Sequence, residues 1–432
     1  MRSIRSRPAA SGGFRRRSPG STHSRPSRAH GRRRGYRAFA VHQTSTGIDR
    51  MTSSSVGKGI AISGMFFMLG LCFGSLSSRM ATIKDGLQLS DGVFGSALFA
   101  MSAGVVLSLP VSGWMIAKLG SRNVGVTAIL TNAVLLSLVP LASSVYQLAA
   151  LLFVSGFSYS AVNVSNNTQA SLSEALSGKT ELPFFHGIWG LAGFVGAGFG
   201  ALMIGQDFAL STHFGVISVI AFLAALACWR FLHDQPGAER VGRAFAMPDR
   251  RLFNYGLIVF FSMACEGIMY DWSVVYFQDV VSAERQLVGV GFMVFMGAMT
   301  VGRLLLNRVA DRFGTRSTLQ WSGGLALIGM VTTIAYPSLP ASIIGFCLVG
   351  LGICTVIPLV AGAAARSSSM APSSAIAAVL TIGFLGTLIG PPLIGFLSEA
   401  FGLRYAFGAC VVLAIGIILR AGKIPRQAPS VV

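Results

Sequence analysis

The sequence predicts an all-α membrane protein of twelve transmembrane helices in two six-helix halves. Three observations predict it. Hydrophobic residues make up 53% of the 432 and charged residues only 11%, against roughly a quarter charged in soluble domains, and mean hydropathy is +0.66. Apolar runs long enough to cross a bilayer follow one another almost without pause. A polar, basic segment, His233–Arg251, divides them six and six. A soluble helical protein would need polar helix faces that these runs lack. The 52 glycines also fit, because small residues let membrane helices approach closely.

In chain order, residues 1–55 form a basic tail. Residues 1–50 carry 13 Arg and one acid, Asp49, which is +12 of the net +19; the remaining 21 basic and 14 acidic residues leave the body at +7. Arg, Ser, Gly and Pro without an apolar period predict disorder. Three readings fit this tail: translation upstream of a true start at Met51, a basic arm for anionic lipid or nucleic acid, or an organellar transit peptide. An N-terminal bundle, 56–232, holds spans near 58–79, 92–116, 123–142, 146–170, 183–205 and 212–232. After a linker, 233–252, a C-terminal bundle, 253–422, holds spans near 253–278, 287–308, 318–337, 340–363, 373–398 and 403–421, and a short tail, 423–432, follows. Fifteen Lys and Arg fall on the even-numbered connections and the C-terminus, against Arg79, Lys84, Arg285 and Arg404 on the other side. By the positive-inside rule both termini and the linker are cytoplasmic, and a bacterial inner (plasma) membrane is the expected setting.

The halves are related. Lys118-Leu-Gly120-Ser-Arg122 matches Arg312-Phe-Gly314-Thr-Arg316 at an offset of 194, and Gly196 meets Gly390 at the same offset. Parallel six-helix repeats with a site between them are a transporter plan.

Candidate site residues come from polar groups inside apolar runs, which are expensive there and mark ion or substrate paths. The first stretch is Glu266-Gly-Ile-Met-Tyr270-Asp271-Trp272-Ser273. Glu266 and Asp271 are five residues apart, about 7.5 Å along the axis and about 140° round it, so they cannot share one narrow stripe. A buried carboxylate that gains a proton loses its charge, which makes Glu266 the first candidate proton carrier, with Asp271 and His186 beside it. Tyr270, Trp272, Asn163, Asn167, Gln169, Trp189 and Arg79 are candidate substrate contacts. The amides fit equally as glue between helices and Trp189 equally as packing, while a His at the position of His186 more often caps or bonds a loop near the membrane edge than carries protons. Lys118, Gly120, Arg122, Asp311, Arg312, Gly314 and Arg316 are candidate gating residues, or ordinary positive-inside anchors.

The loop Asp311-Arg312-Phe-Gly314-Thr-Arg316 resembles the signature loop of the major facilitator superfamily, and by that resemblance it helps hold the inward gate closed. Both copies depart from the pattern: Ala117 stands where the first should have Asp, and Asn307 where the second should have Gly. Arg79, the Asn167-x-Gln169-Ala…Glu174 run, His186-Gly-x-Trp189, Glu266-Gly-x-x-x-Asp271-Trp272-Ser273 and Gly302-Arg303 resemble the YbjJ-like and MosC-like branch, related to the fucose–galactose–glucose:proton symporters. The resemblance covers about residues 56–421. It implies a proton-coupled carrier of a small polar solute such as a sugar, polyol or inositol. Members of that branch often place an Asp where this chain has Asn163, which cannot titrate, so coupling here rests on Glu266, Asp271 or His186, or is absent. Exporters of drugs or metabolites, and non-transporting membrane sensors, are the rival readings.

No enzyme chemistry is expected: no nucleotide loop, metal cluster or nucleophile–base pair is present in the sequence. The six cysteines show no CxxC or Cys/His spacing. No metal or cofactor is expected, no nucleic-acid partner, and a monomer in the lipid bilayer.

Overall fold

Lipid offers no hydrogen bonds, so a spanning backbone must satisfy its own, and helices do this within one segment. The computed structural model describes residues 45–234, 249–367, 370 and 372–425. Among these, twelve helices are long and apolar enough to cross a membrane. They are α1 (Val56–Ser78), α2 (Asp91–Leu119), α3 (Ser121–Leu141), α4 (Val145–Ser177), α5 (Leu182–Gly205) and α6 (Leu210–Trp229), then α7 (Arg250–Asp279), α8 (Arg285–Leu305), α9 (Arg312–Ala335), α10 (Leu339–Arg366), α11 (Ser374–Phe401) and α12 (Leu403–Ala421).

The ends are set by local chemistry. The Ser90 and Ser144 hydroxyls accept from Val93 N and Gln147 N and cap α2 and α4. Asp249 accepts from the N–H groups of Arg251 and Leu252 and caps α7. The turn after α2 and the one within the first residues of α9 need a backbone that side chains rarely adopt. Gly120 stands there at φ 79 and Gly314 at φ 73, the two positions matched by the internal repeat.

The helices follow the apolar runs closely, with three differences. Residues 49–55, read as part of a structureless tail, are helical; lengthening a helix that a span has already nucleated costs little. Helix α4 continues past Ala170 to Ser177, because its polar residues find partners: Glu174 Oε1 accepts from the Glu181 and Leu182 N–H groups at the start of α5. Between α8 and α9 the helical backbone is broken only at Gly314, so no gap from 309 to 317 separates the two spans. Of the tail, 1–44 lie outside the described residues, as do 235–248 of the linker. The separate unit Met1–Ile48 contributes only 45–48, as helix.

Close packing replaces the hydrophobic effect as the force between helices in lipid. A Cβ on Gly104 of α2 would run into Phe153 O of α4, and one on Gly156 of α4 into Met101 O of α2. Gly74 and Gly196 bring α1 and α5 together in the same way, and Gly386 and Gly390 do so for α11 against Phe260 and Ala264 of α7. Two seams join the halves: α2 meets α11 where Gly395 approaches Gly95 and Asp91 O, and α5 meets α8 where Gly190 approaches Thr300.

Polar cross-links between the halves gather at one end. Lys84 Nζ lies 2.6 Å from Asp91 in its own half and 2.9 Å from Asp279 in the other. Gln278 Nε2 donates to Asp85 at 2.7 Å. Arg285 pairs with Asp207, and the Ser398 hydroxyl donates to Asp91. Burial works against the Lys84 charge, yet its bonds to Asp91 and Asp279 outweigh that and hold the ammonium above the usual lysine range. At the other end, among the described residues, ion pairs and side-chain hydrogen bonds stay within one half, as Arg122–Asp234 does at 2.8 Å.

Gly156→Leu should lower the melting temperature in detergent by forcing α2 and α4 apart, a cost of about 1–3 kcal/mol. Gly215→Leu, whose Cβ meets nothing within 4 Å, should melt like the parent chain; equal melting of both would refute the backbone-contact account.

Candidate functional site

Two helical periodicities bring the polar residues together. Tyr159, Asn163 and Asn167 lie four apart on one face of α4, and Glu266 and Tyr270 lie four apart on α7. His186 and Trp189 share a face of α5. These faces meet across the two halves, with Arg303 of α8 between them.

Glu266 is 7% exposed, and its Oε1 lies 3.8 Å from Arg303 Nη2. That distance is an ion pair without a hydrogen bond, and Oε1 has no donor among the described residues. A buried carboxylate oxygen without a donor is costly as an anion; taking up a proton or accepting from a hydroxyl relieves the cost. Arg303 is half-buried, with its guanidinium carbon 5.6 Å from the centre of the Trp189 ring, a cation–π approach.

Aromatic rings wall the pair. Phe73 of α1 stands edge-on to Tyr270 at 4.8 Å and lies 5.6 Å from Tyr159 and 5.8 Å from Trp189. Tyr270 also meets Phe295 at 5.7 Å, and its hydroxyl donates to Met299 Sδ at 3.5 Å. Beside the rings runs a polar chain. His186 Nε2 and Asn167 Oδ1 are 3.1 Å apart, and Asn167 Nδ2 donates to Asn163 Oδ1 at 2.6 Å. His186 lies within the electrostatic reach of Arg303. Asn163, Asn167 and His186 are half-buried, so they border open space rather than solid packing.

The other candidates sit elsewhere. Trp272 is fully buried, donates its indole N–H to Pro391 O at 3.1 Å and stands edge-on to Phe94, which makes it a joint between α7, α11 and α2. Asp271, on another face of α7 from Glu266, is 9% exposed and has no side-chain partner among the described residues. Gln169 is buried; its amide donates to Ser121 Oγ and His233 O and accepts from His233 N, at 2.8–2.9 Å. It ties α4 to α3 and to the segment after α6. Arg79, 3% exposed, donates to Phe208 O at 2.9 Å and His213 Nδ1 at 3.1 Å. Burial, with Arg285 near, pulls its guanidinium down to about 10.

The basic turns hold their own halves. Arg122 pairs with Asp234 after α6, and Arg316 Nη1 donates to Ile424 O after α12 at 3.4 Å. Lys118 covers the Trp114 ring at 4.4 Å, and Arg312 lies over Phe313. The Asp311 side chain lies outside the described residues.

Arg303, Tyr159 and Phe73 were not among the candidates drawn from sequence as site residues. An Arg inside the apolar run 287–308 was the available signal for the first, and the four-residue step back from Asn163 was the signal for the second.

A family model, the Major Facilitator Superfamily, matches residues 60–283 and 255–430. The chain is 31% identical over 364 residues to an uncharacterised MFS-type transporter of Yersinia pestis, covering 84% of this chain and 94% of that one. It is 27% identical over 370 residues to the membrane protein MosC of Rhizobium meliloti, covering 84% and 89%. Among solved structures, it resembles the nucleoside transporter NupG with a TM-score of 0.69 at 13% identity, covering 85% of this chain and 97% of that one. A bacterial homologue of the human lysosomal transporter Spinster, in an inward-facing and unoccupied conformation, gives 0.67 at 12% identity, covering 85% and 96%. At these identities the structures show the shared fold alone.

Gln169→Ala should lower the melting temperature, because His233 loses a partner at both its N–H and its C=O; each buried group left unpaired costs about 1–3 kcal/mol. Solute binding should be unchanged. A weakened affinity at unaltered melting would make Gln169 a ligand instead of a strut.

Proposed function

This chain belongs to the Major Facilitator Superfamily, an integral multi-pass membrane transporter, and we propose that it moves a small polar solute by alternating access, coupled to protons through Glu266. The observation that carries the reading is the Glu266–Arg303 pair at 3.8 Å, enclosed by rings from both halves. Sugars, polyols and inositols present hydroxyl edges and flat C–H faces. Asn163, Asn167 and His186 offer donors and acceptors to the edges, and Trp189, Tyr270 and Phe73 offer ring faces to the C–H surface.

The proton has a defined task in this reading. With Glu266 ionised, Arg303 is held to it by charge. A proton taken from the aqueous side neutralises Glu266 and frees Arg303 to donate to a solute hydroxyl or to settle on Trp189. When the proton leaves, the pair re-forms and the solute loses that donor. Asp271 and His186 remain second candidates for proton coupling, with His186 linked to the amide chain.

The positive-inside count puts the Arg122 end in the cytoplasm, and the inner membrane of a bacterium fits it. On that orientation the Lys84 cross-links close the outside and the described form faces inward. The basic turns, tied within their halves here, would act as inward gates only after the halves rock together. An exporter of drugs or metabolites is the second reading; the density of rings around Arg303 favours it.

Protein in liposomes holding a pH dye, offered sugars, polyols, inositols, nucleosides and organic cations in turn, tests this. One solute should move protons with the parent chain, and Glu266→Gln should abolish that movement while leaving solute counterflow. Undiminished proton movement in the variant would remove Glu266 from the coupling role. Binding without flux for every solute would favour a sensor, and flux of organic cations alone an exporter.

Lys84→Gln should loosen the closed end. Spin labels at Gly86 and Glu284, both exposed, should then report a longer and broader distance distribution than in the parent. An unchanged distribution would show that the glycine seams suffice to keep that end shut.

A further inference from the structure

Away from the central pair, a cleft of about 570 Å³ opens between the first turn of α7 and the last turn of α12. Four cations line it: Arg250 and Arg251 from α7, Arg420 from the last turn of α12 and Lys423 just beyond it. Among the described residues none of the four forms an ion pair. The nearest acid in sequence, Asp249, spends its Oδ1 on the Arg251 and Leu252 N–H groups as the cap of α7. The positive end of the α7 dipole adds to the same field. Four like charges around one hollow repel one another, and an anion seated among them removes that cost.

The walls say more about that anion. Asn254 donates to Arg420 O at 3.3 Å, which ties the two helix ends, and its Oδ1 is buried without a donor. Phe253, on the same wall, is 49% exposed, and Leu419, beside Arg420, is 65% exposed. Both belong to membrane spans, so their exposed faces meet lipid chains. Cations at the end of a span with apolar side chains directly beside them match a phosphate that carries acyl chains.

We infer that this cleft binds a phosphate-bearing anion, and that the occupant is the headgroup of an anionic phospholipid whose chains lie along Phe253 and Leu419. The cations hold the phosphate oxygens bidentately or as point charges, and a headgroup hydroxyl donates to Asn254 Oδ1. A glycerol headgroup supplies both the phosphate and the hydroxyl; choline supplies no hydroxyl and adds a cation. The inference stands independently of the solute and of proton coupling.

Native mass spectrometry of the full chain, exchanged against phosphatidylglycerol or phosphatidylcholine vesicles and against inorganic phosphate, tests it. The parent chain should retain phosphatidylglycerol and release phosphatidylcholine, with millimolar phosphate failing to displace the lipid. The combined change Arg251→Gln, Arg420→Gln and Lys423→Gln should weaken retention on the order of a hundredfold, while Lys179→Gln, an exposed cation elsewhere at the same end, should not. If the combined variant fails to fold, Lys423→Gln alone, at an exposed position, should weaken retention about fivefold. Displacement by inorganic phosphate with the same dependence on the cations would keep the phosphate site and overturn the lipid. Equal retention of both lipids, or retention unchanged in the variants, would overturn the site.

Discussion

A charge inside a bilayer must be paired, hydrated or given up, and the arrangement around Glu266 and Arg303 follows from that constraint. Each justifies the other's presence, yet at 3.8 Å they are not locked by a hydrogen bond. A tight bidentate bridge would make the carboxylate reluctant to change state. A looser pair can be broken by a single proton. The rings of Phe73, Tyr159, Trp189 and Tyr270 exclude water from the flanks, which strengthens the attraction between the two charges and raises what is lost when one partner is neutralised.

The same economy governs the helix contacts. Where two backbones nearly touch, at least one side has glycine, and some seams have it on both, as with Gly104 and Gly156 or Gly95 and Gly395. Seams within a half and seams between halves therefore use one kind of contact. They differ in what flanks them. Between the halves, the glycine seams adjoin the ion pairs of Lys84, Asp279, Arg285 and Asp207, which water can dissolve. Within a half the seam of Gly104 and Gly156 is flanked by a buried hydroxyl contact, where Ser108 donates to Phe157 O at 2.8 Å.

Much of this was legible in the sequence because it rests on periodicity and cost. The twelve helices follow from apolar length alone. Glu266 and Tyr270 stand out in the sequence by being polar where polarity is expensive, and Asn163, Asn167, His186 and Trp189 lie beside them in space. What the sequence could not separate is which polar residue faces the shared space and which faces a neighbouring helix. Trp272 is adjacent to the site in sequence and joined to Pro391 in space. Gln169 is two residues from Asn167 and therefore about 200° round the helix, turned towards His233. Arg303 lay in plain view as part of a resemblance, but its role depends on α8 meeting α5 and α7, a contact between distant parts of the chain.

The length of α4 carries a consequence of its own. Its 33 residues make a rod of about 50 Å, while the hydrocarbon of a bilayer is about 30 Å thick. The surplus must project from the membrane or be absorbed by tilt. Tyr159, Asn163 and Asn167 are mounted on this rod in a single file, so the angle at which they are presented to Arg303 is set partly by the bilayer. A thinner membrane leans the rod over and turns the file, and a thicker one stands it upright. The acyl length of the surrounding lipid thus becomes a mechanical input to the geometry of the polar stripe, acting through no contact with the solute at all.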